Sequence, residues 1–319
     1  MTLRLLLSRR WPETVERALA DRFDVVLREG DAPMSQGELA AAMGECDVLC
    51  PTVSDRIDAA VIAGGDRVRL IANYGVGFDH IDLAAAGARG IAVTNTPGVL
   101  TDATADLALT LILMCARRAG EGERELRRGD WSGWRPTQMI GSALRGKVLG
   151  VVGFGRIGQA VAERARHGFG MRIAYHARRE SEAAAALEAG FCPDLIDLLG
   201  TADIVSLHVP GGEETANLVN ASAIAAMKPG SYLVNTARGG VVDHAALAEA
   251  LRNGHLAGAG LDVYPDEPCV PPALLALENV VLLPHLGSAT AEAREAMGLR
   301  ALANIEAFAA GKPLPDKVG

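Results

Sequence analysis

The stretch at 147–179, KVLGVVGFGRIGQAVAERARHGFGMRIAYHARR, divides into three parts. Val148 to Val152 is a compact apolar run, rich in β-branched residues and of the right length for one buried strand. Gly153-Phe154-Gly155-Arg156-Ile157-Gly158 follows, and after it Ala160, Val161 and Ala165 recur at helical spacing. Met171 to Tyr175 is a second apolar run. Strand, glycine turn, helix and strand form the context in which a G-x-G-x-x-G carries meaning. Gly153 allows the tight turn, Gly155 lets backbone approach a pyrophosphate, and Gly158 lets the helix pack against its strand. The first amides of that helix would face the phosphates. The expectation is a dinucleotide site, against the alternative of a tight turn in an α/β domain that binds nothing.

Outward from this unit, apolar runs and helical stretches alternate. Short apolar runs at 2–7, 24–27, 47–50, 69–72 and 91–93 predict strands, with helices between them, for example at 13–20 and 36–43. Pro97-Gly98 breaks the pattern, and 101–118 reads as a buried helix that is apolar on nearly all sides. After Lys147 the alternation resumes, with strands near 148–152, 171–175, 203–207, 231–234, 258–262 and 280–283. Such alternation predicts parallel sheets with helices on both faces. The last long helix, 289–309, has no sheet left to join in its own domain and is expected to return to the first.

Composition limits the function classes. The 319 residues are 49% hydrophobic and 22% charged, which suits a globular chain large enough for two domains. A formal charge of −8 argues against nucleic acid or an anionic membrane as the main partner. No apolar run is long enough to span a bilayer, and Leu3 to Leu7 is too short for a signal peptide. The five cysteines, 46, 50, 115, 192 and 269, are an odd count without metal spacing, so a reduced, cytoplasmic protein with no metal site is expected.

Loops at the carboxyl ends of strands are where an open α/β sheet binds ligands. Three polar residues fall there: Arg238, Glu267 and His285. Singly, a histidine after Pro284 also suits a structural loop, and a glutamate between prolines a solvated turn. Together they have a chemical logic. Arginine offers a planar fork that matches a carboxylate. A glutamate beside a histidine favours the imidazolium and keeps a transferable proton near neutral pH. Those are the parts needed to hold a 2-oxo acid and protonate its oxygen as hydride arrives.

Six ordered motifs now stand together: NYGVGFDHID at 73–82, NTP at 95–97, GFGRIG at 153–158, NTARGG at 235–240, LDVYPDEP at 261–268 and LPHLGSAT at 283–290. In this order they resemble the D-isomer-specific 2-hydroxyacid dehydrogenases, and most closely the glyoxylate/hydroxypyruvate reductase branch, which PTVSDRID at 51–58 also resembles. The resemblance implies an α/β fold of two Rossmann-like, doubly wound parallel-sheet domains with the active cleft between them. The substrate domain would comprise 1–98 and 288–319, and the dinucleotide domain 99–287. It implies His285 as acid/base, Glu267 as its partner and Arg238 as substrate anchor. Glu267 sets the chain apart from formate dehydrogenases of the superfamily, which use glutamine there. Amides around Val76 and Gly77 would take the substrate carboxylate, with Val53, Tyr74 and Gly75 beside them. Asp262 would hold the nicotinamide amide and Thr104 would face the cofactor. Further cofactor contacts are expected at Phe154, Arg156, Ile157, His208, Val209, Pro210, Thr215, Thr236, Ala237, His285 and Gly287. A homodimer through the cofactor domain is also implied.

The expected reaction is NAD(P)H-dependent reduction of a small 2-oxo acid to the D-2-hydroxy acid. Rival readings are the same chemistry on D-lactate, an aromatic 2-oxo acid or 3-phosphoglycerate, and a non-catalytic cofactor sensor on the same scaffold. NADPH is expected to be preferred. NAD-specific folds place an acid about 20 residues past the glycines. Here that position is His176, 18 residues after Gly158, and His176-Ala177-Arg178-Arg179 offers two guanidiniums and no acid before Glu180.

Overall fold

The computed structural model describes residues 2–319, which divide into two compact units. Unit 1 holds the residues up to Leu100 together with Ser288–Gly319. Its sheet comprises β1 (Arg4–Leu7), β2 (Asp24–Val26), β3 (Val48–Cys50), β4 (Leu70–Ala72) and β5 (Ala92–Thr94), parallel in the order β5-β4-β3-β1-β2. Lys317–Val318 adds an antiparallel edge strand beside β5. β3 and β4 are buried throughout, as strands covered on both faces must be. Thr290 caps the helix Ala291–Ala309 by accepting from the Ala293 amide. Gly298 on this helix admits Val15 so closely that a Cβ there would lie 2.6 Å from Val15 Cγ1. The returning helix therefore packs on the first helix of unit 1.

Unit 2, Thr101–Gly287, holds β6 (Val148–Val152), β7 (Arg172–His176), β8 (Gly190–Phe191), β9 (Ile204–Leu207), β10 (Ser231–Asn235), β11 (Leu256–Leu261) and β12 (Val280–Leu282). The order is β12-β11-β10-β9-β6-β7-β8, all parallel. Side chains alternate across it with the period of a strand. Leu149 and Val151 enter one core with Leu111, Ile112 and Val161, while Val152 enters the other with Leu198, Ile224 and Leu247. The helix Thr101–Ala116 lies wholly in this unit and stops two residues short of its expected end. It approaches β11 so closely that a Cβ on Gly260 would meet Leu111 Cβ at 2.9 Å. β8 has only two residues and no apolar run to announce it, so sequence reading does not find it.

The topology fixes where a ligand can lie. β6 is flanked by β7 on one side and β9 on the other, so the chain's direction of travel across the sheet reverses there. Such a reversal opens a crevice at the carboxyl ends of the strands.

Candidate active site

β10, β11 and β12 are neighbours, and their carboxyl ends deliver Arg238, Glu267 and His285. After β10, the buried Asn235 acts as a template: its Oδ1 accepts from the Ala237 amide and its Nδ2 donates to the Arg238 carbonyl, both at 2.9 Å. Gly239 is then required, because a Cβ would fall 1.9 Å from the Tyr264 carbonyl carbon. That contact presses the Arg238 turn against the loop after β11. The half-buried Arg238 donates through Nη1 to the Ala237 carbonyl at 2.8 Å.

In the loop after β11, the Tyr264 amide donates to Glu267 Oε1 at 3.0 Å, and Glu267 Oε2 lies 2.7 Å from Nδ1 of His285. Burial works against ionisation of Glu267. The hydrogen bond and charge of His285, the Tyr264 amide and the positive charge of Arg238 outweigh it and hold the carboxyl below its usual range. A carboxylate only accepts, so Nδ1 carries a hydrogen and Nε2 is the nitrogen left for a substrate. The Tyr264 hydroxyl donates to the carbonyls of Leu261 and Leu283, tying the two loops together, and burial pushes its phenol up to about 12.

His285 itself sits at φ +54°, in the left-handed region that disfavours a side chain. Asp262 holds it there. The His285 amide donates to the Asp262 carbonyl at 2.9 Å, and the carboxylate accepts from the Leu286 amide at 2.7 Å and the Gly287 amide at 2.8 Å. Burial pushes the Asp262 carboxyl up, against the pull of these amides and of His285. The visible work of Asp262 is thus on the histidine loop, a role that residue type and spacing do not disclose. Thr104 supports the same loop from the buried helix, donating to the Gly287 carbonyl at 2.9 Å.

The residues around β6 fit a dinucleotide. Gly153 has φ +91°, and a Cβ there would lie 2.6 Å from the His208 carbonyl oxygen. Gly158 touches the Gly153 carbonyl so closely that a Cβ would lie 2.2 Å from its oxygen. Gly155 faces open space, with nothing within 4 Å of a built Cβ, and no side chain caps the helix Arg156–Phe169 that it starts. Open space before uncapped amides suits a pyrophosphate. Phe154 is buried against Tyr175, while Arg156 and Ile157 open the helix. The Thr236 hydroxyl is buried with no hydrogen-bond partner among the described residues, as a ligand contact would leave it.

On the β7 side, His176 Nδ1 lies 3.0 Å from the Cys192 carbonyl, and Arg178 and Arg179 are exposed. On the β9 side, His208 Nε2 lies 2.8 Å from Ser206 Oγ, and burial pushes the imidazole down to about 4. Val209 and Pro210 follow, and Thr215 Oγ1 donates back to the Pro210 carbonyl at 2.6 Å.

Unit 1 carries the expected carboxylate loop. Asn73 Nδ2 donates to the carbonyls of Gly75 and Gly77 at 3.1 and 2.9 Å, Asn95 Nδ2 to that of Val76 at 2.8 Å. All three carbonyls are therefore engaged, while among the described residues the amides of Val76 and Gly77 have no acceptor. Tyr74 is buried, packs against Trp11 with the rings tilted by 38°, and donates its hydroxyl to the Arg294 carbonyl, so that hydroxyl is occupied. Val53 is partly exposed, and its Cγ1 would lie 3.0 Å from a Cβ on Gly75. Sequence reading overlooks Asn73, Asn95 and Asn235; an asparagine at a buried strand end, next to a chain that must turn, is the signal that could have found them.

Residues 109–287 match the family model of the D-isomer specific 2-hydroxyacid dehydrogenase NAD binding domain. The chain belongs to the D-isomer-specific 2-hydroxyacid dehydrogenase family. As a whole this 2-hydroxyacid dehydrogenase is 44% identical to the glyoxylate reductase of Thermococcus litoralis, covering 100% of this chain and 97% of that protein. Against the glyoxylate reductase of Thermococcus kodakarensis the identity is 46%, over 100% and 96%. Among solved structures it resembles an NADPH-dependent glyoxylate/hydroxypyruvate reductase of Sinorhizobium meliloti in complex with NADP and malonate, with TM-score 0.89, 36% identity and coverage of 100% and 97%. No helix of this dehydrogenase, among the described residues, is long and apolar enough to cross a membrane, and the same residues hold no cluster that could bind a metal.

Proposed function

We propose that this dehydrogenase reduces a small 2-oxo acid of the glyoxylate/hydroxypyruvate type to the D-2-hydroxy acid, with NADPH preferred over NADH. The observation that carries the reading is the 2.7 Å Glu267–His285 pair beside Arg238, at the ends of three adjacent strands. Reduced nicotinamide, when bound, supplies the hydride. Arg238 binds the substrate carboxylate through its fork and draws electron density from the carbonyl. The Val76 and Gly77 amides are donors of a kind suited to a carboxylate. As the carbonyl carbon gains its new C–H bond, the π pair moves to oxygen, which takes the proton from His285 Nε2. Neutral His285 keeps its Nδ1 hydrogen on Glu267 and is recharged by solvent. Asp262 and Gly287 hold the histidine loop throughout.

Similarity to glyoxylate reductases across the full length supports the substrate class, and the exposed Arg178 and Arg179 support the NADPH preference. Arg238, the Glu267–His285 pair and the cofactor residues belong to unit 2, and the Val76 and Gly77 amides to unit 1. A homodimer through unit 2 is supported by the exposed Leu126, Trp131, Trp134 and Ile140 of one short segment. Five free cysteines suit a reducing, cytoplasmic compartment. The test is a set of initial rates on glyoxylate, hydroxypyruvate, pyruvate, phenylpyruvate and phosphohydroxypyruvate with each reduced cofactor. The highest kcat/KM should fall on glyoxylate or hydroxypyruvate with NADPH. Turnover of none of them would favour a sensing role over catalysis.

A further inference from the structure

The sequence places no acid between His176 and Arg179, but the fold brings one to Arg178 from another loop. Glu214, in the loop after β9, puts Oε2 3.6 Å from Nη1 of Arg178, in the loop after β7. These loops flank the glycine turn of β6, so the ion pair spans the crevice where the sheet order reverses. Its two side chains are 90% and 87% exposed, so nothing but each other and water holds them. The loop beneath Glu214 is fixed by the Thr215 hydroxyl on the Pro210 carbonyl and by a turn at Gly212 with φ +124°. Glu214 is therefore held within reach of Arg178 by its backbone.

We infer that Glu214 tempers the cofactor preference of this enzyme by competing, as a built-in carboxylate, with the 2′-phosphate of NADPH for Arg178. The inference rests on the NADPH reading above. With a 2′-hydroxyl in the crevice, as in NADH, Arg178 stays with Glu214. A 2′-phosphate, a dianion with three acceptor oxygens, takes the guanidinium and displaces the carboxylate, which it also repels. An exposed pair is weak and easily broken, so Glu214 lowers the preference without abolishing it.

The test uses the full-length protein without cofactor and measures, by titration calorimetry at low salt, the Kd of 2′,5′-ADP and of 5′-AMP. Glu214→Gln should tighten 2′,5′-ADP about two- to fivefold, the range an exposed ion pair can supply, and leave 5′-AMP unchanged. The gain should shrink at high salt, where exposed charges are screened. In an Arg178→Ala background the same substitution should have no effect on either ligand. Equal tightening of both ligands, no tightening of 2′,5′-ADP, or a gain that persists without Arg178 would each overturn the competition. The underlying NADPH reading fails separately, if Arg178→Ala binds 2′,5′-ADP as tightly as the unchanged protein.

Discussion

Glu267 and His285 stand 18 residues apart in the chain, yet their side chains meet at 2.7 Å because β11 and β12 are adjacent and parallel. The pair has a kinetic signature. Proton donation from Nε2 to the substrate oxygen, as proposed above, should make reduction slower in deuterium oxide than in water. Glu267→Gln removes the anion opposite Nδ1 and should lower kcat for reduction. His285→Ala should cost roughly two to four orders of magnitude in kcat. An unchanged kcat in Glu267→Gln would dissolve the pairing.

Arg238 is asked for geometry as well as charge. Arg238→Lys keeps the charge and loses the planar fork, so kcat/KM for the oxo acid should still drop by at least about tenfold. Thermal unfolding separates this from a bracing role. A variant that melts early but turns over normally would remove Arg238 from the substrate.

The cofactor loop gives a simpler contrast. Replacing Arg178 and Arg179 together by Ala should raise KM for NADPH at least about tenfold, because a charged hydrogen bond contributes roughly 1.5–3 kcal/mol. KM for NADH should hardly change. A higher kcat/KM with NADH in the unsubstituted enzyme would contradict the preference while leaving the reaction class intact.

His208 predicts part of the acid limb of stability. Its imidazole is pushed down to about 4 from an ordinary 6.5 by burial. Below pH 6.5 the unfolded chain takes a proton that the folded chain refuses until about pH 4. The contribution is therefore intact above pH 6.5 and is lost as the pH falls through that window, by at most on the order of 3 kcal/mol. The depressed Glu267 carboxyl works in the same direction at lower pH: its contribution is present above the usual carboxylate range and lost as acid protonates it. His208→Gln should flatten the slope of unfolding free energy between pH 6.5 and 4, measured by denaturant titration at several pH values. An unaltered slope would mean that His208 takes up its proton in the folded state as readily as in the unfolded one.

The sheets were legible wherever a strand is buried on both faces. β6 shows an unbroken apolar run followed by glycines, and the structure gives each glycine of 153–158 a steric or spatial reason. β8, with two residues, and the edge strand Lys317–Val318 bury too little to mark the sequence. The proposed trio of Arg238, Glu267 and His285 is a matter of residue type and family order, whereas its supports depend on register. Asn235 and Asp262 bond to backbone that only the folded turn brings near, one across two or three residues and the other across more than twenty. Glu214 was invisible for the same reason, since it meets Arg178 across two loops of separate strands. The sequence expectation of a loop without a nearby acid is corrected by that contact.

The left-handed backbone of His285 also constrains how this enzyme can change. A non-glycine residue in that region costs on the order of 1–2 kcal/mol, here offset by the three bonds from Asp262 to the loop. Glycine meets no such cost. His285→Gly should therefore melt at higher temperature than His285→Ala, although both lose the proposed proton donor. At this one position the substitution that best relaxes the chain also ends proton transfer. Selection for a sturdier fold and selection for turnover are thus opposed there, and any gain in stability compatible with activity has to be found elsewhere in the molecule.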